Sequence, residues 1–344
     1  MDRTRLAFVT AAAVGAGTAV FVIWWWLVKK QKPQTPSKWR KVGELSDIMV
    51  FPIKSLGTIR MKEMECTKLG LRSGWLKDRT LMVIDLEGRF LTARQLPKMV
   101  NIIPEYSGSI LTLRAPGMMS ISIDLAQLRG KPFQVAVWGQ AVPARDCGEE
   151  VARWLSRFLL QEDTGLRLVY YPLDRPARDI RKKNENYFPL ITTTDTGAYP
   201  DETSFSLINE ASVAELNSRL DETVTPQQFR MNFVVKGAIA YEEDRWDWVK
   251  IGDVILRNIR PCTRCILTTV NPETGTKNAK VEPVKTLKSY RQVTDPQIRP
   301  AVGDSPVMGI HLGLRGPNGI VRIGDSVYVD IPEEEATPSL TSPS

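Results

Sequence analysis

Trp248-Val249-Lys250-Ile251-Gly252-Asp253-Val254-Ile255-Leu256-Arg257-Asn258-Ile259-Arg260-Pro261-Cys262-Thr263-Arg264-Cys265 is the stretch that decides the fold. It predicts two β-branched strands, 248–251 and 254–259, joined by a Gly-Asp tight turn and running into a cysteine pair. The same apolar, Gly-Asp, apolar wording returns at Val321-Arg322-Ile323-Gly324-Asp325-Ser326-Val327, and each turn is expected to join two barrel strands. Outward from there, strand-like runs dominate. They cover 46–53, the hairpin arms 80–85 and 89–93, the pair 110–114 and 120–123, the pair 134–137 and 140–143, and 233–235. Two amphipathic helices interrupt them. One covers 149–161 with Asp146 and Glu149 as a capping box. The other covers 210–220 with Asn209 as its cap. Between these helices, 174–186 is polar and charged and reads as a long crossing loop. Many short strands with few helices predict an α+β fold built on a β-barrel core. No glycine-rich phosphate loop of the Rossmann or Walker type occurs, so a nucleotide fold lacks its fingerprint.

Composition narrows the chemistry. A length of 344 residues gives one large domain or two modest ones, with a core large enough to need no staples. Four cysteines do not make a disulfide framework, and a single histidine excludes multi-histidine zinc or non-haem iron sites. The formal charge of +7 is spread along the chain without aromatic interleaving, which argues against nucleic acid and suits a phosphate-bearing ligand or an acidic partner. At the N-terminus, Leu6 to Val28 is a run of 23 uncharged residues. As a helix it would be about 34 Å long, enough to span a bilayer core of about 30 Å. Trp24, Trp25 and Trp26 end it, and Lys29, Lys30, Lys32, Lys38, Arg40 and Lys41 follow. That pattern predicts an uncleaved single-pass anchor with the C-terminal bulk in the cytosol. Residues 29–41 read as a basic tether, and 333–344 as a disordered tail.

Three metal or redox chemistries fit Cys262 and Cys265, beside simple burial in a strand. Zinc would need four ligands, and Cys66 and Cys147 stand isolated. A thioredoxin-type pair wants a helix after it, whereas Ile266-Leu267-Thr268-Thr269-Val270 is strand-forming. A single thiolate on a soft, open metal site is the third, and Arg260 and Arg264 would favour the thiolate.

Neighbouring text chooses among these. The ordered set runs Phe51-Pro52-Ile53-Lys54-Ser55, Gly70-Leu71-Arg72, Asp78-Arg79, Phe229-Arg230-Met231-Asn232, the cysteine segment, Asn271-Pro272-Glu273-Thr274-Gly275 and Thr286-Leu287-Lys288-Ser289-Tyr290-Arg291. It resembles the mitochondrial amidoxime-reducing components, a MOSC-domain molybdenum enzyme family, across residues 42–330. The resemblance implies a MOSC N-terminal β-rich domain over 42–173 and a MOSC domain over 174–332, preceded by the transmembrane helix in 1–28. It implies molybdopterin-type molybdenum cofactor without a nucleotide, held between the two regions. Cys265 is implied as catalytic metal ligand, with Cys262 left to packing. Lys54, Ser55, Arg79, Arg230, Asn232, Thr263 and Arg264 are implied to hold the pterin and its phosphate, and Asp201, Glu202 and Thr203 to lie against it. Two departures stand out. Met231 replaces the family's proline, and His311 replaces an aromatic; as a lone histidine, His311 is assigned to packing or surface rather than to the site.

The implied activity is reduction of amidoximes, N-hydroxyguanidines and hydroxamic acids, with nitrite as a further substrate. Electrons would come from NADH through cytochrome b5 reductase and cytochrome b5. The implied location is the mitochondrial outer membrane, although such an anchor also fits peroxisomes or reticulum; a monomer is expected. The rivals are sulfur transfer through a Cys265 persulfide and a membrane-tethered cofactor carrier.

Overall fold

The computed structural model describes residues 35–330. The expected anchor and disordered tail, and residues 29–34 of the tether, lie outside the described residues; the tether's last two, Arg40 and Lys41, already belong to a strand. No helix among the described residues is long and apolar enough to cross a membrane.

In chain order the first half contributes β1 (Arg40–Val50), β2 (Ile59–Met61), β3 (Glu63–Thr67), β4 (Gly70–Ser73), β5 (Leu76–Lys77), β6 (Leu81–Asp85), β7 (Ile103–Ser107), β8 (Ile110–Arg114), β9 (Ile121–Asp124), β10 (Phe133–Val137), β11 (Gln140–Asp146) and β12 (Leu166–Tyr170). The second half adds β13 (Phe205–Asn209), β14 (Phe233–Lys236), β15 (Trp248–Ile251), β16 (Val254–Thr263), β17 (Val307–Leu314), β18 (Gly319–Arg322) and β19 (Ser326–Val329). The order β14-β13-β17-β16-β15-β19-β1 closes because β1 also pairs with β14, so the expected barrel is present. Strand β1 precedes the expected 173/174 boundary, yet its ladder partners β14 and β19 come after it. Its register shifts twice, and Gly43 sits at the first shift. A Cβ there would lie 1.9 Å from the Lys236 carbonyl oxygen, so only glycine lets the closing strands approach.

Alternating apolar residues of these strands fill the barrel, where Leu45, Phe205, Phe233, Leu256 and Val327 are buried together with Trp246 from the loop before β15. A second core lies between β6, β8, β12 and the helix Glu149–Leu160, whose Val151, Trp154 and Leu155 face inward. Several expectations need correction. Only isolated bridges at Arg89, to Ala136, and at Phe90, to Ile84, remain of the expected second arm at 89–93. The Gly252-Asp253 turn joins β15 to β16, but Gly324-Asp325 leads out of β18, which pairs with β3 in another sheet. Asp146 does not cap the first helix. It ends β11, where its carboxylate accepts from the Gly148 amide at 2.6 Å and pairs with Arg167. Asn209 does cap the second helix, Glu210–Asn217, accepting from the Ala211 amide at 3.1 Å; Ser212, Val213 and Leu216 face inward.

That cap region carries a buried acid. Glu243 accepts from Ser212 Oγ at 2.8 Å and from the Asn209 amide at 3.4 Å. Burial, reinforced by neighbouring Asp244, pushes its carboxyl up to about 7. Because the folded state prefers the proton, this carboxyl favours folding most below its ordinary value. It becomes a penalty as pH rises from about 4.5 to 7, amounting to roughly 3 kcal/mol above that window. Glu243→Gln is therefore expected to leave Tm near wild type at pH 5 and raise it by several degrees at pH 8. A Tm difference independent of pH would refute this account.

Candidate functional site

One end of the barrel opens into a cleft enclosing about 1250 Å³, counted out to open solvent. Strand β16 delivers the cysteine segment to it, β17 delivers His311, and β13 delivers Ser206. The loop after β1 brings Lys54 and Ser55, the turn before β6 brings Arg79, and the 226–231 segment brings Arg230 and Met231. Ten of the eleven expected site residues line the cleft: Lys54, Ser55, Arg79, Asp201, Glu202, Thr203, Arg230, Thr263, Arg264 and Cys265. Asn232 is buried behind it, where its side chain contacts Ser206 Oγ at 3.2 Å and donates to the Met49 carbonyl at 3.2 Å.

Cys265 is exposed, and Cys66, Cys147 and Cys262 are buried. Burial pushes the Cys66 and Cys147 thiols above the ordinary range and raises Cys262 as well, against the pull of Arg264 and Arg260. Cys262 packs with Met49, Phe51, Phe229, Met231 and Met308. The residues after Cys265 are not a strand as expected. They form a 3-10 turn, Ile266–Thr269, with Cys265 at its N-cap. Thr268 and Thr269 hydroxyls donate back to the Cys265 and Ile266 carbonyls at 2.9 and 2.7 Å, local bonds that compete with strand pairing and turn the chain.

Seven cationic side chains line the cleft against two carboxylates. Ser55, Arg79 and Arg230 all have positive φ, at 68°, 47° and 56°. Arg79 donates to the Arg230 carbonyl at 2.7 Å and pairs with Asp78 at 2.5 Å. Both guanidiniums stack on Phe51, at 4.8 Å for Arg79 and 4.3 Å for Arg230. Burial, then the nearby charge of Arg79, pushes Arg230 down to about 9. Its Nη2 is buried without a hydrogen-bond partner among the described residues. Two like charges around an unsatisfied donor are the arrangement an anion would complete. Burial likewise pushes Lys54 down to about 8, opposed by its ion pair with Asp201. Burial would raise Asp201, but Lys54, Arg94 and the Trp138 indole, 3.0 Å away, hold it well below the usual carboxylate range.

Not every cation is free for a ligand. Arg264 donates to the Met308 carbonyl from Nε (2.9 Å) and Nη2 (2.5 Å), and to the Phe229 carbonyl from Nη1 (2.9 Å). Its role in the fold is to tie the cysteine loop to two neighbouring segments. Glu202 is likewise engaged by Arg181, by Asn184 and by Arg260 at 3.3 Å. Arg94, Trp138, Arg181, Lys183 and His311 also line the cleft and were not expected there. Trp138 offered a signal, since a tryptophan in a two-residue hairpin turn buries little; it is 42% exposed and flanked by Arg94 and Arg181. The cations lie in loops and looked like ordinary surface charge.

A smaller cleft of about 610 Å³ near Thr67–Arg72 and Asn318 is lined by no cysteine. The thiol cleft is thus the site to compare with known proteins. Residues 42–162 match the MOSC N-terminal beta barrel domain, and 194–328 match the MOSC domain. The mouse protein named mitochondrial amidoxime-reducing component 1 is 38% identical over 94% of this chain and 93% of its own. The chain belongs to the mitochondrial amidoxime-reducing component family. Its human relative named component 1 is 40% identical over 84% of each chain, and the human component 2 is 37% identical over 92% of this chain and 90% of its own. A superposition on the crystal structure of YuaD from Bacillus subtilis covers 85% of this chain at 11% identity, with a TM-score of 0.33. As a family member the chain is a MOSC protein of a group for which a molybdenum cofactor is implied, and its curated relatives are named as mitochondrial.

Proposed function

We propose that this chain is a molybdenum-cofactor oxidoreductase that reduces N-hydroxylated compounds to the amidine or amine. Amidoximes are the first substrate class to test, as the relatives' names suggest. The carrying observation is Cys265: the exposed thiol opens onto a cleft holding seven cations and a buried guanidinium nitrogen without a hydrogen-bond partner among the described residues. A soft thiolate suits the metal, and the cations suit the pterin phosphate. When bound, the cofactor would supply two electrons and an acceptor for the oxygen atom, which no side chain here can provide. The overall change consumes two electrons and two protons and releases water. Cys265 would hold the metal, while Arg79 and Arg230 would grip the phosphate and Lys54 would add a point charge. Asp201 keeps Lys54 and Arg94 in place, and Arg264 fixes the loop that presents the thiol. Elemental analysis of purified protein tests this reading, with roughly one molybdenum per chain expected. A metal-free, persulfide-bearing protein would favour sulfur transfer instead.

The membrane assignment rests on the uncharged run Leu6 to Val28 and the lysines after it. Those features support an anchor with the catalytic bulk facing the cytosol, and the choice of the mitochondrial outer membrane rests on the family resemblance and on relatives named as mitochondrial. The chain has no evident haem or flavin motif, so electrons come from partners, and the family resemblance implies NADH acting through a b5-type cytochrome and its reductase. A basic protein meeting an acidic cytochrome on one membrane gains encounter rate from charge and confinement. Raising salt is therefore expected to slow NADH-driven turnover more than turnover with a small artificial donor. Equal salt dependence in the two assays would count against the electrostatic partner.

A further inference from the structure

His311 lies on β17 opposite Ser206 on one side and Arg260 on the other, and its ring lines the cleft. Its Nδ1 is 3.0 Å from Thr203 Oγ1, and Thr203 Oγ1 is 2.9 Å from the Phe205 carbonyl oxygen. A hydroxyl has one proton, and the carbonyl can only accept. If Thr203 gave its proton to His311, two oxygens would face each other at 2.9 Å without a hydrogen between them. Both contacts are satisfied in one arrangement alone: Thr203 donates to Phe205, and His311 Nδ1–H donates to Thr203. That tautomer leaves Nε2 bare. Burial, with Arg260, Arg264 and Arg79 outweighing Asp201, keeps the ring neutral.

The two cleft carboxylates are already occupied, Asp201 by Lys54, Trp138 and Arg94, and Glu202 by Arg181, Asn184 and Arg260. No described residue bonds Nε2. We propose that His311 Nε2 is a tautomer-fixed acceptor that reads one N–H or O–H donor of the bound ligand, inside a cleft otherwise dominated by donors. This rests on the proposed function for the ligand's identity, but not for the tautomer. The donor belongs either to the pterin ring or to the amidine-like end of the substrate.

His311 is the single histidine of the chain, so imidazole 15N NMR of full-length protein in detergent reads one ring. The expected spectrum shows a protonated Nδ1 and a bare Nε2 in both the loaded enzyme and the Cys265→Ala chain. If the donor is on the cofactor, the Nε2 resonance differs between these two proteins. If it is on the substrate, Nε2 moves only when benzamidoxime is added to the loaded enzyme. A protonated Nε2, or one moved by neither, overturns the proposal. His311→Phe keeps a ring and removes the acceptor. It should raise KM for benzamidoxime, or weaken cofactor retention, about tenfold, the worth of one hydrogen bond. His311→Gln should restore part of the loss, and a His311→Phe enzyme equal to wild type in both would also overturn it. Absence of molybdenum would defeat the proposed function while leaving the tautomer measurement intact.

Discussion

Cys265→Ala is expected to purify with almost no molybdenum and to lose amidoxime reduction by well over about 100-fold, since even a group one shell removed from a metal costs 10–100-fold. The fold should survive, because the thiol is exposed and its backbone, not its sulfur, accepts the capping bond from Thr268. Cys262→Ala should do the reverse. Its sulfur sits among Met49, Phe51, Phe229, Met231 and Met308, so its removal leaves a small cavity and costs about 1 kcal/mol of stability while metal content holds. Metal analysis and denaturant unfolding of both variants separate the roles. Full metal content in folded Cys265→Ala would sink the assignment of the ligand, whatever happened to activity.

The second large effect is on the scaffold. Arg264→Ala should lower stability by about 3–5 kcal/mol, since it strips the buried Met308 and Phe229 carbonyls of their donor and leaves a guanidinium-sized void. Arg264→Lys should recover only part, because an ammonium cannot span two carbonyls in the fixed geometry of a fork. Arg230→Ala is the control. Its Nη2 has no partner among the described residues, so cofactor retention should fall while unfolding changes much less. Urea titration with parallel molybdenum analysis distinguishes them. Wild-type stability in a cofactor-free Arg264→Ala protein would show that this guanidinium grips ligand rather than loops.

The contrast between these two arginines marks where reading the chain stops. Both sit in motifs that resemble the family, and both were expected to hold phosphate. Nothing in a linear order says that Arg264 would find Met308 and Phe229 within reach, since those carbonyls come from other segments. Arg230 stands at positive φ after a 3-10 turn, which aims its side chain over Phe51. His311 was set aside as a lone histidine, yet the antiparallel register of β17 with β13 and β16 puts it into the cleft. The segment after Cys265 turns although its composition predicts a strand, because threonine's β-branch favours strands while its hydroxyl can instead bond the chain three residues back.

What the sequence by itself determined is local and periodic. Alternating apolar residues specified about half of the strands but not β2–β5, β7, β12, β13 or β17, Gly252-Asp253 specified a hairpin, Asn209 specified a helix start, and the ordered motifs pointed to Cys265. The tertiary structure alone decided how the barrel closes, with β1 reaching past the expected domain boundary to β14 and β19. It also decided which of the charges are spent on protein and which face a ligand. The reason is physical: backbone preference and side-chain period act over a few residues, whereas a hydrogen-bond partner more than a hundred residues away exists only once the chain has folded.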